Sequence, residues 1–137
     1  MRTVLTALAV LGGCQAAKRK LNTAERQTTQ TAGGRIELTT LWNERGAFGL
    51  PISRKTILGA SVLGLTALWA ERKKAPVSAG LVLGGGLSNL LERLREGRVY
   101  DYIRFPKAPE PVRNYVFNLA DFAVFAGAAG FLFRRKK

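Results

Sequence analysis

The segment Asn114–Phe133 reads NYVFNLADFAVFAGAAGFLF, and its only charged residue is Asp121. At about 1.5 Å of rise per residue, a helix of this length spans a bilayer's hydrocarbon core of roughly 30 Å. The segment therefore predicts a membrane-spanning helix, and with it a membrane fold for the whole chain. A carboxyl placed inside such a helix is costly unless it is paired or used, so Asp121 is a candidate functional residue. Asn118 lies three residues earlier on the same helical face, and Phe125 and Ala128 continue the stripe. Counted from Asn114, Asp121 sits seven residues in, about 10 Å by helical rise and within reach of the aqueous interface. The chain contains one other aspartate, Asp101. Two carboxyls brought together are the minimum equipment of an aspartic hydrolase.

Three further stretches are nearly free of charge: Thr3–Ala17, Thr56–Ala70 and Pro76–Leu91. Together they predict one domain over 1–137, a mainly α membrane protein of four transmembrane helices at about 3–18, 54–71, 76–95 and 113–133. Longer loops, 19–53 and 96–112, lie on one side, and the basic turn Arg72-Lys73-Lys74 lies on the other. Trp69 anchors the second helix at the interface, and Pro76 suits the first turn of the third. Gly80, Gly84 and Ser88 recur at four-residue spacing and form a face on which another helix can pack closely. Asn89, Glu92 and Arg93 share one face at the end of that helix, which on spacing alone is a solvated terminus.

In the loops, Ile36, Leu38, Thr40 and Trp42 alternate with their neighbours, predicting a short strand or ribbon on the membrane surface. Leu21–Gly34 is polar and predicts an exposed loop, and Asn43–Gly49 predicts a turn. Pro106, Pro109 and Pro111 exclude a helix from Arg95–Arg113, which is expected to be an ordered surface loop. Its aromatics, Tyr100, Tyr102 and Phe105, suit the headgroup level. Met1–Gly13 also has the form of an export signal, with Leu11-Gly12-Gly13-Cys14 as a lipoprotein processing box. The favoured reading keeps this segment as the first helix.

A single cysteine excludes an internal disulfide, and the absence of histidine removes most zinc and haem ligation and Ser-His or Cys-His catalysis. No metal or cofactor is expected. The net charge of +13 arises from Lys and Arg at the ends of the apolar runs, without interleaved aromatics. It points to an anionic lipid surface rather than nucleic acid. Arg2, Arg72–Lys74 and Arg134–Lys137 suit a cytoplasmic side, although the other 14 of the 22 basic residues (22 less these 8) lie in the longer loops or at the helix ends that border them.

Gly84-Gly85-Gly86-Leu87-Ser88-Asn89-Leu90-Leu91-Glu92-Arg93, Gly97-Arg98-Val99-Tyr100-Asp101-Tyr102-Ile103 and Phe117-Asn118-Leu119-Ala120-Asp121 resemble, in order, three blocks of the lipoprotein signal peptidases (signal peptidase II). The family's blocks read approximately GGALGNLxDR, GxVxDFI and FNLADxxI. Asn43–Phe48 is similar to the family's NxGAAF element, and Cys14–Lys18 more weakly to its DQxxK. The resemblance covers most of the chain from Ile36 onward. It implies four membrane helices with a small extracytoplasmic β-cradle, and a catalytic pair formed by Asp101 and Asp121. Asn43, Gly46, Asn89, Glu92, Arg93 and Asn118 are implied as supporting or substrate-binding residues. The implied reaction removes the signal peptide from diacylglyceryl-modified prolipoproteins, just before the lipidated cysteine, by a monomer in the bacterial cell membrane with its site facing outward. Two positions depart from the blocks. Glu92 stands where the family usually has Asp, and Cys14 replaces the Asp of the first helix.

Two carboxyls about 3 Å apart in a low-dielectric site cannot both ionise and must share a proton. The ionised member then takes a proton from a water while the protonated one polarises the scissile carbonyl. Tyr100, Tyr102 and Phe105 are expected to close over the substrate. The alternative is an inactive homologue that binds lipopeptides or stabilises a partner and tolerates Asn at both aspartates. A small transporter with Asp121 as proton relay is the third class.

Overall fold

In the computed structural model, residues 1–22, 28–46 and 50–134 are described. Four helices, α1 (Arg2–Asn22), α2 (Arg54–Glu71), α3 (Pro76–Glu96) and α4 (Leu119–Leu132), surround or flank one another, with α3 touching each of the other three. A four-stranded antiparallel sheet in the order β1 (Thr29–Thr31), β2 (Ile36–Asn43), β3 (Val99–Arg104) and β4 (Val116–Phe117) caps one end.

The small residues of α3 explain its central place. A Cβ on Gly80 or Gly84 would lie 2.5 Å from Thr6 Cβ or 2.7 Å from the Ala7 carbonyl oxygen, both on α1. One on Gly85 would lie 2.5 Å from the Ala120 carbonyl oxygen of α4, and one on Gly86 would lie 2.8 Å from Leu65 of α2. Three successive glycines thus face three different helices, Gly84 and Gly85 against the backbones of α1 and α4 and Gly86 against the Leu65 side chain of α2. Gly85→Leu is therefore expected to lower the thermal midpoint in detergent, at a cost of about 1–3 kcal/mol or more from overpacking. Gly59→Leu on α2, which faces open space, is expected to leave that midpoint unchanged.

Outward apolar side chains are abundant: Leu5, Leu8, Val62, Leu63 and Leu132 are all exposed. Even so, no helix among the described residues is long and apolar enough by itself to cross a membrane. α1 carries Lys18, Arg19 and Lys20 near its C-terminus, and α4 has 14 residues, about 21 Å of helix.

α4 begins at Leu119, not at 113 as the apolar run predicted. Arg113 and Asn114 belong to a 3-10 turn, and Val116 and Phe117 pair with Arg104 and Ile103 of β3. Asn118 then caps the helix in an extended conformation, with its Oδ1 accepting from Asp121 N at 3.1 Å. The Asp121 carboxylate reciprocates, accepting from Asn118 N at 2.9 Å. This capping box satisfies two backbone donors that a helix start leaves orphaned, and it overrides the hydropathy of Tyr115–Phe117. Asp121 is consequently at the mouth of the helix, not two turns inside it.

The stretch expected to be a surface loop also contains a strand. Val99, Tyr100, Asp101 and Tyr102 are all buried, because one face of β3 meets the cavity described below and the other meets the ends of the helices. The expected strand at Ile36–Trp42 is β2, extended to Asn43. A bulge between Leu38 and Leu41 shifts its register on β3, so that Leu41 lies opposite Asp101 and Asn43 opposite Val99. Leu21–Gly34 is not loop throughout: α1 runs to Asn22 and β1 follows at Thr29. Thr23–Gln27, Ala47–Gly49 and the basic tail Arg135–Lys137 lie outside the described residues, so the loop and tail readings at those positions are not addressed.

Candidate active site

Asp101 projects from β3 and Asp121 from the first turn of α4. Both line a single cavity of about 770 Å³. Asn118 joins them. Its Nδ2 donates to Asp101 Oδ1 at 2.9 Å, while its backbone N and Oδ1 hold the carboxylate and amide of Asp121. The same Nδ2 donates to Asn89 Oδ1 at 3.1 Å, and Asn89 Nδ2 donates to Asp121 Oδ1 at 3.3 Å. Asn43, at the end of β2, donates from Nδ2 to Asp101 Oδ2 at 3.3 Å. Its Oδ1 accepts from Arg45 N at 2.8 Å, which fixes the side-chain amide with its donor toward the carboxylate. Each carboxyl is thus held by asparagine from a different element, and neither is neutralised by a direct ion pair among the described residues.

The remaining expected residues divide into two groups. Gly46 and Arg93 are on the cavity wall. Gly46 N donates to Leu50 O at 3.0 Å, closing the turn after β2, and Arg93 Nη2 donates to Arg45 O at 3.4 Å. Glu92 faces away from the cavity. Its carboxylate forms a nearly buried ion pair with Lys18 of α1 and accepts from Tyr100 N at 2.9 Å. The longer glutamate arm therefore ties α1 and α3 to the strand residue before Asp101. Cys14, at the other departure from the family blocks, is fully buried in α1. Ala47 and Phe48 of the quoted element lie outside the described residues.

Tyr100 and Tyr102 do not close over the cavity. Both are buried on the opposite side of β3, with their rings 5.4 Å apart, and Phe105 packs against Phe117 and Phe122. The apolar wall comes instead from Leu41, Leu50, Ile52, Ile57, Val124 and Phe125, and Trp42 stands at its edge under the Arg98 guanidinium. The contribution of α2 through Thr56, Ile57, Ala60 and Ser61 was not anticipated, because nothing in a uniformly apolar helix marks which face borders a cavity. No cluster of three or more Cys, Asp or Glu able to hold a metal ion occurs among the described residues.

Burial, and then the neighbouring Asp121 charge, push the Asp101 carboxyl up from 3.8 to about 7, against the opposing hydrogen bonds of Asn43 and Asn118. A proton shared between two acids near neutral pH is what acid–base chemistry at a carboxyl pair requires. The chain has only two aspartates, so selective ¹³Cγ labelling of aspartate gives two carboxyl resonances. One of them is expected to titrate with a midpoint near 7. The folded state binds more protons than the unfolded state between about 3.8 and about 7. The contribution of Asp101 to stability is therefore full below that window and declines as pH rises through it. Denaturant titrations at pH 5 and pH 8 check the sign.

A family profile described as signal peptidase (SPase) II matches residues 6–135. The lipoprotein signal peptidase of Moorella thermoacetica is 33% identical over 137 residues, covering 93% of this chain and 87% of that protein. That of Nitrobacter hamburgensis is 32% identical over 110 residues, covering 72% of this chain and 67% of its own length. A match to the lipoprotein signal peptidase of a Methylobacterium species spans 63% of the relative. In fold, the chain superposes on a solved bacterial membrane enzyme with a TM-score of 0.83 at 20% identity, covering 98% of this chain and 93% of that one. With nearly its whole length matched, the chain belongs to the signal peptidase II family, a family of proteases.

Proposed function

We propose that this chain is an aspartic endopeptidase of the bacterial cell membrane that removes signal peptides from diacylglyceryl-modified prolipoproteins, cutting on the N-terminal side of the lipidated cysteine. One observation carries the reading: the only two aspartates of the chain, from separate elements, reach one cavity through a shared asparagine. Asp101 and Asp121 form the catalytic pair. Asn43, Asn89 and Asn118 orient their oxygens, Arg93 and Gly46 shape the cavity wall, and Glu92 supports β3 from behind. Both carboxyls come from one chain, so a monomer suffices.

The wall of the cavity is mixed in a way that suits this substrate. Asparagines, arginines and backbone groups gather at the sheet end, where an extended peptide needs hydrogen bonds, and apolar side chains of α2 and α4 continue from there, where acyl chains need none. The four helices lie in the bilayer, with the sheet on the extracytoplasmic side. Their charged ends and exposed apolar flanks support this placement, the charged ends reaching the interface by snorkelling.

The test is to incubate the purified protein in detergent with a prolipoprotein, with and without its diacylglyceryl group, and to read the products by mass. Cleavage before the modified cysteine, absent from the unmodified substrate, is expected. Activity is expected to fall as pH rises through about 7, as the pair loses its shared proton. A folded protein that releases no signal peptide from the lipidated substrate sinks the reading. In that case the inactive, lipopeptide-binding homologue takes its place.

A further inference from the structure

Tyr102 follows Asp101 on β3, so its side chain leaves the opposite face of the strand. It is 3% exposed, and its hydroxyl oxygen accepts a hydrogen bond from Leu119 N at 3.0 Å. Leu119 is the first residue of α4, two before Asp121. The first amides of a helix have no intrahelical acceptor, and in a buried setting each needs one from elsewhere. The Asp121 amide finds it in Asn118 Oδ1, and the Leu119 amide finds it in the phenol.

The strand carrying one carboxyl and the helix carrying the other are therefore linked twice. Asn118 Nδ2 reaches Asp101 on the cavity side of the strand, and Tyr102 reaches Leu119 on its far side. The β3–β4 ladder ends at Phe117, two residues before the helix, and these two bonds carry the attachment on to its first turn from both faces of the strand.

We propose that Tyr102 is a positioning residue for the carboxyl pair, its hydroxyl fixing the first turn of α4 and thereby the separation at which Asp121 faces Asp101. The proposal rests on the aspartic peptidase reading. Burial holds the phenol above its ordinary range, so it remains a neutral acceptor throughout the pH range of interest. It is not among the residues that line the cavity. A phenylalanine would preserve the ring contact with Tyr100 and remove the acceptor.

Charged groups face Asp101 from three sides: Asp121 on α4, Lys18 on α1 and Arg93 on α3. Of these, Asp121 alone sits on the element that Tyr102 holds. If α4 is released, the like-charge repulsion on Asp101 weakens, and the Asp101 midpoint drops below about 7.

The experiment compares Tyr102→Phe with the unaltered full chain in detergent by kinetics and by the ¹³Cγ titration of its two aspartates. Expected are a kcat about fivefold lower, as for one lost hydrogen bond of roughly average strength, a KM within twofold, and a lower Asp101 midpoint. An Asp101 midpoint unchanged in Tyr102→Phe overturns the proposal, whatever happens to thermal stability, and a shifted midpoint with kcat within twofold overturns it as well. Should the unaltered protein cleave nothing, the peptidase reading fails on its own, and the midpoint in Tyr102→Phe still decides whether the phenol sets the pair.

Discussion

Asp101→Asn and Asp121→Asn are each expected to lower release of the signal peptide by about 10³-fold or more, with the double variant scarcely worse than either. An amide has nearly the shape of the carboxyl it replaces, so the contacts of Asn43 and Asn118 with position 101, and of Asn118 N with position 121, can persist in part. An amide cannot take or share a proton. Removal of either member ends both halves of a mechanism in which the two exchange roles, which is why the losses should not add. Stability should move the other way. Ionised Asp101 is disfavoured by its surroundings, so Asp101→Asn is expected to be at least as stable as the unaltered protein at pH 8. Rates and thermal midpoints measured on the same preparations separate the two effects. Cleavage within tenfold of normal by either variant would remove the pair from the mechanism.

The second large effect is expected at Asn118, which the cavity itself does not touch. Its side chain is fully buried and serves Asp101, Asn89 and the Asp121 amide together. Asn118→Ala deletes a helix cap, usually about 0.5–2 kcal/mol, and leaves Asp101 short of a donor in a buried site. A fall of about 10²-fold in kcat together with a clear drop in thermal midpoint is expected. Asn118→Ser should separate these losses, since a hydroxyl can still cap the helix but is too short to bridge to Asp101. Recovery of stability without recovery of rate is the expected pattern. If Asn118→Ala stays within threefold of the normal rate, the bridge between the carboxyls has no catalytic weight.

What could be read from the chain beforehand differed from element to element, for identifiable physical reasons. The helices of Thr56–Ala70 and Pro76–Leu91 were legible because long apolar runs leave few other conformations, and the spacing of Gly80, Gly84 and Ser88 marked a contact face that is occupied by α1. The start of α4 was misplaced because hydropathy outweighed capping. Asn118 and Asp121, three apart and ahead of an apolar run, are themselves a helix-start signature, yet they were counted as a polar stripe on a helix already under way. β3 was hidden by the prolines that follow it and by the lack of alternation. A strand buried on both faces shows no polar–apolar period, so Val99–Tyr102 looked like a loop rich in aromatics. The two aspartates were singled out by their rarity and by the family blocks. Spacing alone leaves Glu92 at a solvated helix end; the family blocks mark it as a supporting residue, and the Tyr100 amide opposite it shows what it supports.

Asn118 begins a helix and also links Asp101 to the segment carrying Asp121. A protease that shares its membrane with many unmodified proteins has reason not to be active while half-made. On the proposed mechanism the safeguard needs no propeptide or inhibitor, because the two carboxyls acquire their geometry only when α4 has started at the correct residue and docked on the sheet. Catalytic competence would then report on complete folding, and a nascent or damaged copy is expected to be inert.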